Sequence, residues 1–324
     1  MKSYFIKSVS GKTVFEPREV PVPQPKAGEI LVKVRAASLN RGEILASISL
    51  HKADVPHPAG GDCAGEVHAL GEGVTAFKPG DRVLGRARGS FSEFVTMSVP
   101  QAALVPQRLT WEQAATVPIS SITAYEAICG YGKLKAGETL LVAGAASGVG
   151  VVGVQIGKFL GAKVIGVSRS GPKLEKLKAV GLDVGIATAG GGFADKVLAA
   201  TGGQGVNLAI NLVGGSAFPD CVRSLANQGR LAIIGYVDGK HHAEIDLETV
   251  HGRRLQIFGV SNALLPPAQR AEAMRGFVRD ILPGFADGRI VPVIDRVFPF
   301  AELAAAKAYV ESDAQLGKVV VKMS

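Results

Sequence analysis

The sequence predicts an α/β protein in which a doubly wound parallel sheet is inserted into a β-rich domain. Three observations predict it. The first third of the 324 residues carries short apolar or alternating runs broken by Gly and Pro clusters. From about residue 138, continuous apolar runs alternate with helical patterns, the signature of a parallel sheet covered on both faces. The chain then closes on an alternating run at residues 317–321, which matches the first third and is expected to rejoin it.

The elements follow in order. Residues 3–9, 29–37, 65–70, 82–84 and 91–97 read as strands. Turn clusters separate them, among them Gly71-Glu72-Gly73 and Pro79-Gly80-Asp81. At Thr110 the pattern changes: Thr at the N-cap and Gln113 three residues on form a capping box that opens a helix. Buried strands are expected at 140–143, 162–167, 184–187, 206–213, 230–235 and 255–260. Helices at 149–160, 173–180, 193–200 and 218–226 separate them, and further helices are expected at 268–277 and 301–310.

Composition excludes several classes. Gly accounts for 41 of 324 residues without any Gly-x-y period, so the glycines serve turns and close backbone approaches. Three distant cysteines, Cys63, Cys129 and Cys221, make neither a disulfide scaffold nor a four-Cys zinc lobe. The net charge of +8 comes from scattered Lys and Arg without aromatic interleaving, so no dedicated nucleic-acid groove is indicated. Residues 139–157 are uncharged, but their five glycines read as strand, turn and helix, not as a membrane span. The first 14 residues lack the apolar core of a secretory signal, and a cytoplasmic location is expected.

The sharpest motif is Gly144-Ala145-Ala146-Ser147-Gly148-Val149-Gly150, between a buried strand and a helix. Such a turn lets the backbone approach a pyrophosphate, and the helix N-terminus offers N–H groups and partial positive charge. A dinucleotide is therefore expected against Ala146, Ser147, Gly148, Val149 and Gly150. An NAD site places an acid at the end of the next strand. Here that point reads Ser168-Arg169-Ser170, with Lys173 following. A guanidinium fork and an ammonium suit a 2′-phosphate, so Ser168, Arg169 and Lys173 predict NADPH.

Together with Ala36-Ala37-Ser38-Leu39-Asn40, Gly61-Asp62-Cys63-Ala64-Gly65, Lys78-Pro79-Gly80-Asp81 and Val213-Gly214-Gly215, this motif resembles the medium-chain dehydrogenase/reductase superfamily, in its zinc-free quinone oxidoreductase group. The resemblance covers nearly the whole chain. It implies a GroES-like catalytic domain over residues 1–120 and 264–324 and an inserted Rossmann domain over 121–263. It also implies a homodimer, with substrate reduced between the two domains. Further cofactor contacts carried over by position are Thr123, Val213, Gly214, Gly235, Tyr236, Gly259, Val260, Ser261 and Lys318.

Zinc-dependent members of that superfamily use a Cys, a His-Glu pair after Gly, and a further Cys or Asp. The matching positions here hold Asn40, Gly61-Asp62-Cys63 and, near the third, Ile119. An amide, a carboxylate and an apolar side chain are not a soft tetrahedral donor set, so no metal is expected. Without that Lewis acid the chemistry shifts to acceptors that take hydride readily, quinones or enones. The group's Asn-x-x-Asp reads Asn40-Arg41-Gly42-Glu43 here. Asn40 and Glu43 are the candidate catalytic residues. Asn40 bonds the substrate oxygen or the nicotinamide surroundings, and Glu43 orients it or relays a proton. Alternatively Asn40 caps a turn and Glu43 is a surface charge.

Residues 49–56 offer no Tyr where related thioester reductases place a proton donor, leaving His51 and His57 as substitutes. Residues 186–189 likewise lack the adenine-stacking Tyr of some members. Two other readings stay open: an enone or enoyl-thioester reductase on the same fold, and a non-catalytic NADPH-binding interaction protein.

Overall fold

The computed structural model describes residues 1–10, 12–44, 55–188, 191–262 and 265–323. It divides into two compact units. Unit 1 is Met1–Ser120, Pro266–Ala286 and Pro292–Ser324; unit 2 is Ser121–Leu265 and Asp287–Val291. The first crossing lies between Ser120 and Ser121. The second crossing is less simple, because residues 287–291 return to unit 2. Gln155, buried in the helix Gly148–Phe159, holds that segment by two bonds: its Nε2 donates to Val291 O (2.9 Å) and its Oε1 accepts from Val291 N (2.8 Å).

Unit 1 is β-rich. Its strands are β1 (Lys2–Val9), β2 (Lys12–Glu19), β3 (Glu29–Ser38), β4 (His57–Pro58), β5 (Asp62–Leu70), β6 (Arg82–Arg86), β7 (Phe94–Ser98) and β8 (Ala102–Leu104). Two late strands of the chain join them. β2 is not in the sequence reading: it carries four charged side chains and Pro17, and it is tolerated because it forms the outer strand of the three-stranded sheet β2-β1-β4. The capping box forms as expected, with both Thr110–Gln113 bonds present.

Unit 2 holds β9 (Thr139–Ala143), β10 (Lys163–Ser168), β11 (Val184–Ala187), β12 (Val206–Asn211), β13 (Leu225–Ile233) and β14 (Gln256–Gly259). All pairings are parallel, in the order β11-β10-β9-β12-β13-β14. Numbered from β9 as one, this is 3-2-1-4-5-6, the doubly wound order of dinucleotide-binding sheets. Leu141, Ala143, Ile165, Val167, Ala209 and Leu231 bury its centre. The helix expected at 218–226 is shorter, Phe218–Arg223. Ser224 turns its N–H and hydroxyl back to Asp220 O, and the chain enters β13 at Leu225, opposite Val206.

The chain returns to unit 1 through β15 (Ile294–Pro299) and β16 (Lys318–Lys322). The closing run therefore rejoins the first domain: β16 lies parallel to β15 and antiparallel to β3 in a sheet ordered β15-β16-β3-β5-β6-β8, with β7 also on β3. Val32, Val34, Cys63, Val83, Phe91, Val319 and Val321 fill the core beneath it. Among the described residues no helix is long and apolar enough to cross a membrane.

Candidate active site

Strand register gathers the polar cluster of unit 1. β16 pairs with β3 so that Val320 faces Ser38, and the same register continued sets Lys318 beside Asn40. β5 pairs with β3 so that Cys63 faces Ala37, which sets Asp62 beside Ser38. Three adjacent strand ends thus bring an amine, an amide and a carboxylate together. The short helix Arg41–Ile44 adds Glu43.

The hydrogen bonds form one network. Lys318 Nζ donates to Asn40 Oδ1 (2.6 Å) and to Leu39 O (3.1 Å). Asn40 Nδ2 donates to Asp62 Oδ1 (3.0 Å) and, at 3.4 Å, to Glu43 Oε2. Asp62 also accepts from Ser38 Oγ (2.8 Å) and from Ile119 N–H (3.3 Å). The three positions that zinc-dependent members use for ligands therefore do converge. An amide oxygen already spent on an ammonium, a carboxylate and a backbone N–H do not fit a zinc ion, and a cationic side chain in contact opposes one. Asp62 and Cys63 diverge as neighbouring strand residues must: Asp62 enters the network and Cys63 the apolar core.

Asp62 and Lys318 are buried, while Asn40 and Glu43 are partly exposed. Burial first, then the adjacent Asp62 carboxylate, push Glu43 up to about 8. Burial pushes Asp62 up and Lys318 down from their ordinary values. Asp62 accepts three hydrogen bonds and Glu43 one long one, so the carboxylate charge settles on Asp62 and the proton on Glu43. Gly61 leaves room for this packing: a Cβ there would lie 1.8 Å from Glu43 Oε1, so the Glu43 carboxyl would have to move.

The glycine-rich turn lies at the end of β9 in unit 2. Gly144 sits at φ +91°, and a Cβ on Gly150 would lie 2.3 Å from Gly144 O, so the helix reaches the strand only because residue 150 is glycine. Ser147 caps that helix, accepting from Gly150 N–H (3.1 Å) and donating to Gly144 O (2.8 Å). Helix geometry leaves the N–H groups of Gly148 and Val149 without intrahelical acceptors. This is a cradle that a dinucleotide pyrophosphate fits. β10 ends on Ser168, whose Oγ accepts from Ser170 N–H, and Ser170 in turn caps the next helix through Lys173 N–H. Arg169 is exposed at that strand end.

Residues that sequence reasoning missed shape the rest. Asn211, buried at the end of β12, accepts from the N–H of Val213 (2.9 Å) and Gly214 (3.1 Å) and donates to Gly214 O (3.0 Å). It thereby sets the turn that carries both. Gly214 stands at φ +126° against the Asp238 carboxylate, which also takes the N–H and hydroxyl of Ser216. Tyr236 meets His241 edge-on, 4.5 Å between ring centres. Gly235, like Tyr236, follows β13, and Val260 and Ser261 follow β14, whose last residue is Gly259. Thr123 Oγ1 accepts from the buried Asn262 Nδ2 (3.0 Å). Lys318, assigned to the cofactor by position, engages its ammonium in the unit 1 network. His51 and residues 189–190 lie outside the described residues; His57 lies in β4, paired with Ile6.

Two family profiles match the chain, the alcohol dehydrogenase GroES-like domain over residues 26–107 and a zinc-binding dehydrogenase domain over 148–278. The quinone oxidoreductase of Rattus norvegicus is 28% identical over 308 residues, 94% of this chain and 92% of that one. The acryloyl-coenzyme A reductase of Metallosphaera sedula is 28% identical over 350 residues, 99% of each. A mycobacterial protein solved with NADPH superposes with a TM-score of 0.89 at 27% identity, covering 99% of this chain and 100% of that one. The chain also matches, at 29% identity, a polyketide synthase subunit of Mycobacterium tuberculosis, but spans only 14% of its length. The fold and these similarities place the chain among the oxidoreductases of the medium-chain dehydrogenase/reductase superfamily. Within that superfamily it belongs to the quinone oxidoreductase group.

Proposed function

We propose that the protein is an NADPH-dependent oxidoreductase that reduces quinones or similarly activated carbonyl acceptors without a catalytic metal. The observation that carries this reading is the Asn40–Asp62–Glu43–Lys318 network, which fills the ligand positions of metal-dependent relatives with groups that do not suit zinc. Ala146, Ser147, Gly148, Val149 and Gly150 would hold the pyrophosphate. Ser168, Arg169 and Lys173 would hold the 2′-phosphate, Val213, Gly214, Gly235 and Tyr236 the ribose side, and Thr123, Gly259, Val260 and Ser261 the nicotinamide. When bound, the nicotinamide supplies hydride.

The chain's own residues then have two tasks. The Asn40 amide, fixed by Lys318 and Asp62, orients the acceptor. Glu43, holding a proton at neutral pH and partly open to solvent, returns the proton that a two-electron reduction needs. A second reading, reduction of an enone or enoyl thioester, is supported by the similarity to the acryloyl-coenzyme A reductase. There too Glu43 would supply the proton, in place of the Tyr that residues 49–56 lack. The two-fold dimer of this reading would pair at β14, one of the two edge strands of its sheet.

The cofactor assignment is tested at Arg169. Arg169→Ala is expected to raise the KM for NADPH on the order of tenfold, the value of a charge-assisted contact, and to leave that for NADH nearly unchanged. Equal changes for both cofactors would contradict it.

A further inference from the structure

The unit 1 network holds more charge than the Asn40–Glu43 pair accounts for. Two carboxyls and one amine meet at a single amide, three of these four groups within hydrogen-bond reach of Asn40. With all three ionisable groups charged, the hydrogen-bonded cluster itself would carry one excess negative charge, offset only in part by the more weakly felt Arg86 on β6, a state that burial disfavours. The two buried members, Asp62 and Lys318, stand at the back, and the two partly exposed members at the front.

We propose that Lys318 and Asp62 are positioning residues: the Lys318 ammonium is a resident cation in the place of a metal, and with Asp62 it locks the Asn40 amide and leaves the cluster one positive charge short, which a proton on Glu43 supplies. Asn40 Oδ1 must face the ammonium and Nδ2 the carboxyls, so the amide has one orientation. Ser38 Oγ and Ile119 N–H add two further donors to Asp62 and keep it the ionised partner. The groups facing Glu43 are Asp62 on β5, Lys318 on β16, Asn40 before its own helix and Arg86 on β6. The inference rests on the assignment of Asn40 and Glu43 as the catalytic pair, but its charge balance does not depend on which acceptor is reduced.

Glu43 holds its proton to about pH 8 in the folded chain, against an ordinary value of 4.5 when unfolded. Its contribution to stability is present in full below the unfolded value and is lost as pH rises through the folded one. The Tm difference between wild type and Glu43→Gln, measured without cofactor or substrate, should therefore fall between about pH 5 and pH 8 and level off above. A pH-independent difference would mean that Glu43 carries no stored proton and would overturn the inference, whatever the enzyme reduces.

Kinetics then separates the positioning roles. Wild-type kcat should decline above about pH 8. Asp62→Asn removes a like charge and should move that decline to lower pH. Lys318→Met removes an opposite charge and should move it to higher pH. The latter should also lower kcat on the order of tenfold or more, as loss of an orienting partner does, with the KM for NADPH within about twofold. Lys318→Arg, which keeps the cation, should fold and restore the wild-type profile in part. If Lys318→Met instead raises the KM for NADPH and leaves the pH profile in place, Lys318 is a cofactor contact and the proposal fails. Should no acceptor turn over, the functional reading fails while the Tm test still decides the charge balance.

Discussion

Gly61 shows most directly how the network constrains a single residue. A Cβ there would overlap the Glu43 carboxyl, whose own position is set by Asn40. The backbone at Gly61 lies outside the left-handed region, so alanine there costs through contact, by displacing the Glu43 carboxyl, and not through conformation. Gly61→Ala should cost about 1–3 kcal/mol of stability, as overpacking does, and should lower kcat by displacing Glu43. Thermal unfolding and steady-state rates check both; a variant as stable and as active as wild type would show that Glu43 does not pack there. Cys63, one residue beyond Asp62, illustrates the opposite fate. Burial pushes its thiol up, so it serves as a small apolar residue and not as a nucleophile or ligand.

Among the elements, the helix starts follow sequence rules closely and the network does not. The Thr110–Gln113 capping box was legible because all its partners lie within four residues. It is also exposed and apart from the network, so Thr110→Ala should cost about 1 kcal/mol of stability and leave kcat unchanged. A change in kcat would show that the helix Trp111–Ala115 transmits to the site. Asn40 and Glu43 were legible for the same local reason, as one Asn-x-x-Glu segment. The network role of Lys318 was not: its partner Asn40 lies 278 residues away, and only strand register joins them. A signal was present in the sequence. Lys318 opens the apolar strand β16, and Asp62 opens β5 beside Cys63, Ala64 and Gly65. A lone charged residue entering a buried strand needs a buried partner of opposite charge. Asn211 and Asn262 were missed because a strand-end amide reads as an ordinary turn former until its acceptors are seen.

At the scale of the whole molecule, alternating strands and helices were enough to predict a doubly wound parallel sheet, and the closing run was enough to return the chain to its first domain; the strand order and the pairing of β16 with β3 came from the structure. What sequence could not give is the return of residues 287–291 to unit 2, since it depends on one buried glutamine, Gln155. The proposed function assigns the chain two separate devices, the glycine-rich turn of unit 2 for a dinucleotide and the amide–carboxyl network of unit 1 for a proton. The central claim is that together they reduce an activated acceptor without a metal. The most direct test is NADPH oxidation, with NADH in parallel, against 1,4-benzoquinone, 9,10-phenanthrenequinone, an alkyl enone and crotonyl-CoA, with and without a chelator. The account predicts turnover of the quinones that prefers NADPH and is indifferent to the chelator. Turnover abolished by the chelator, or tight NADPH binding with no turnover of any acceptor, would contradict it.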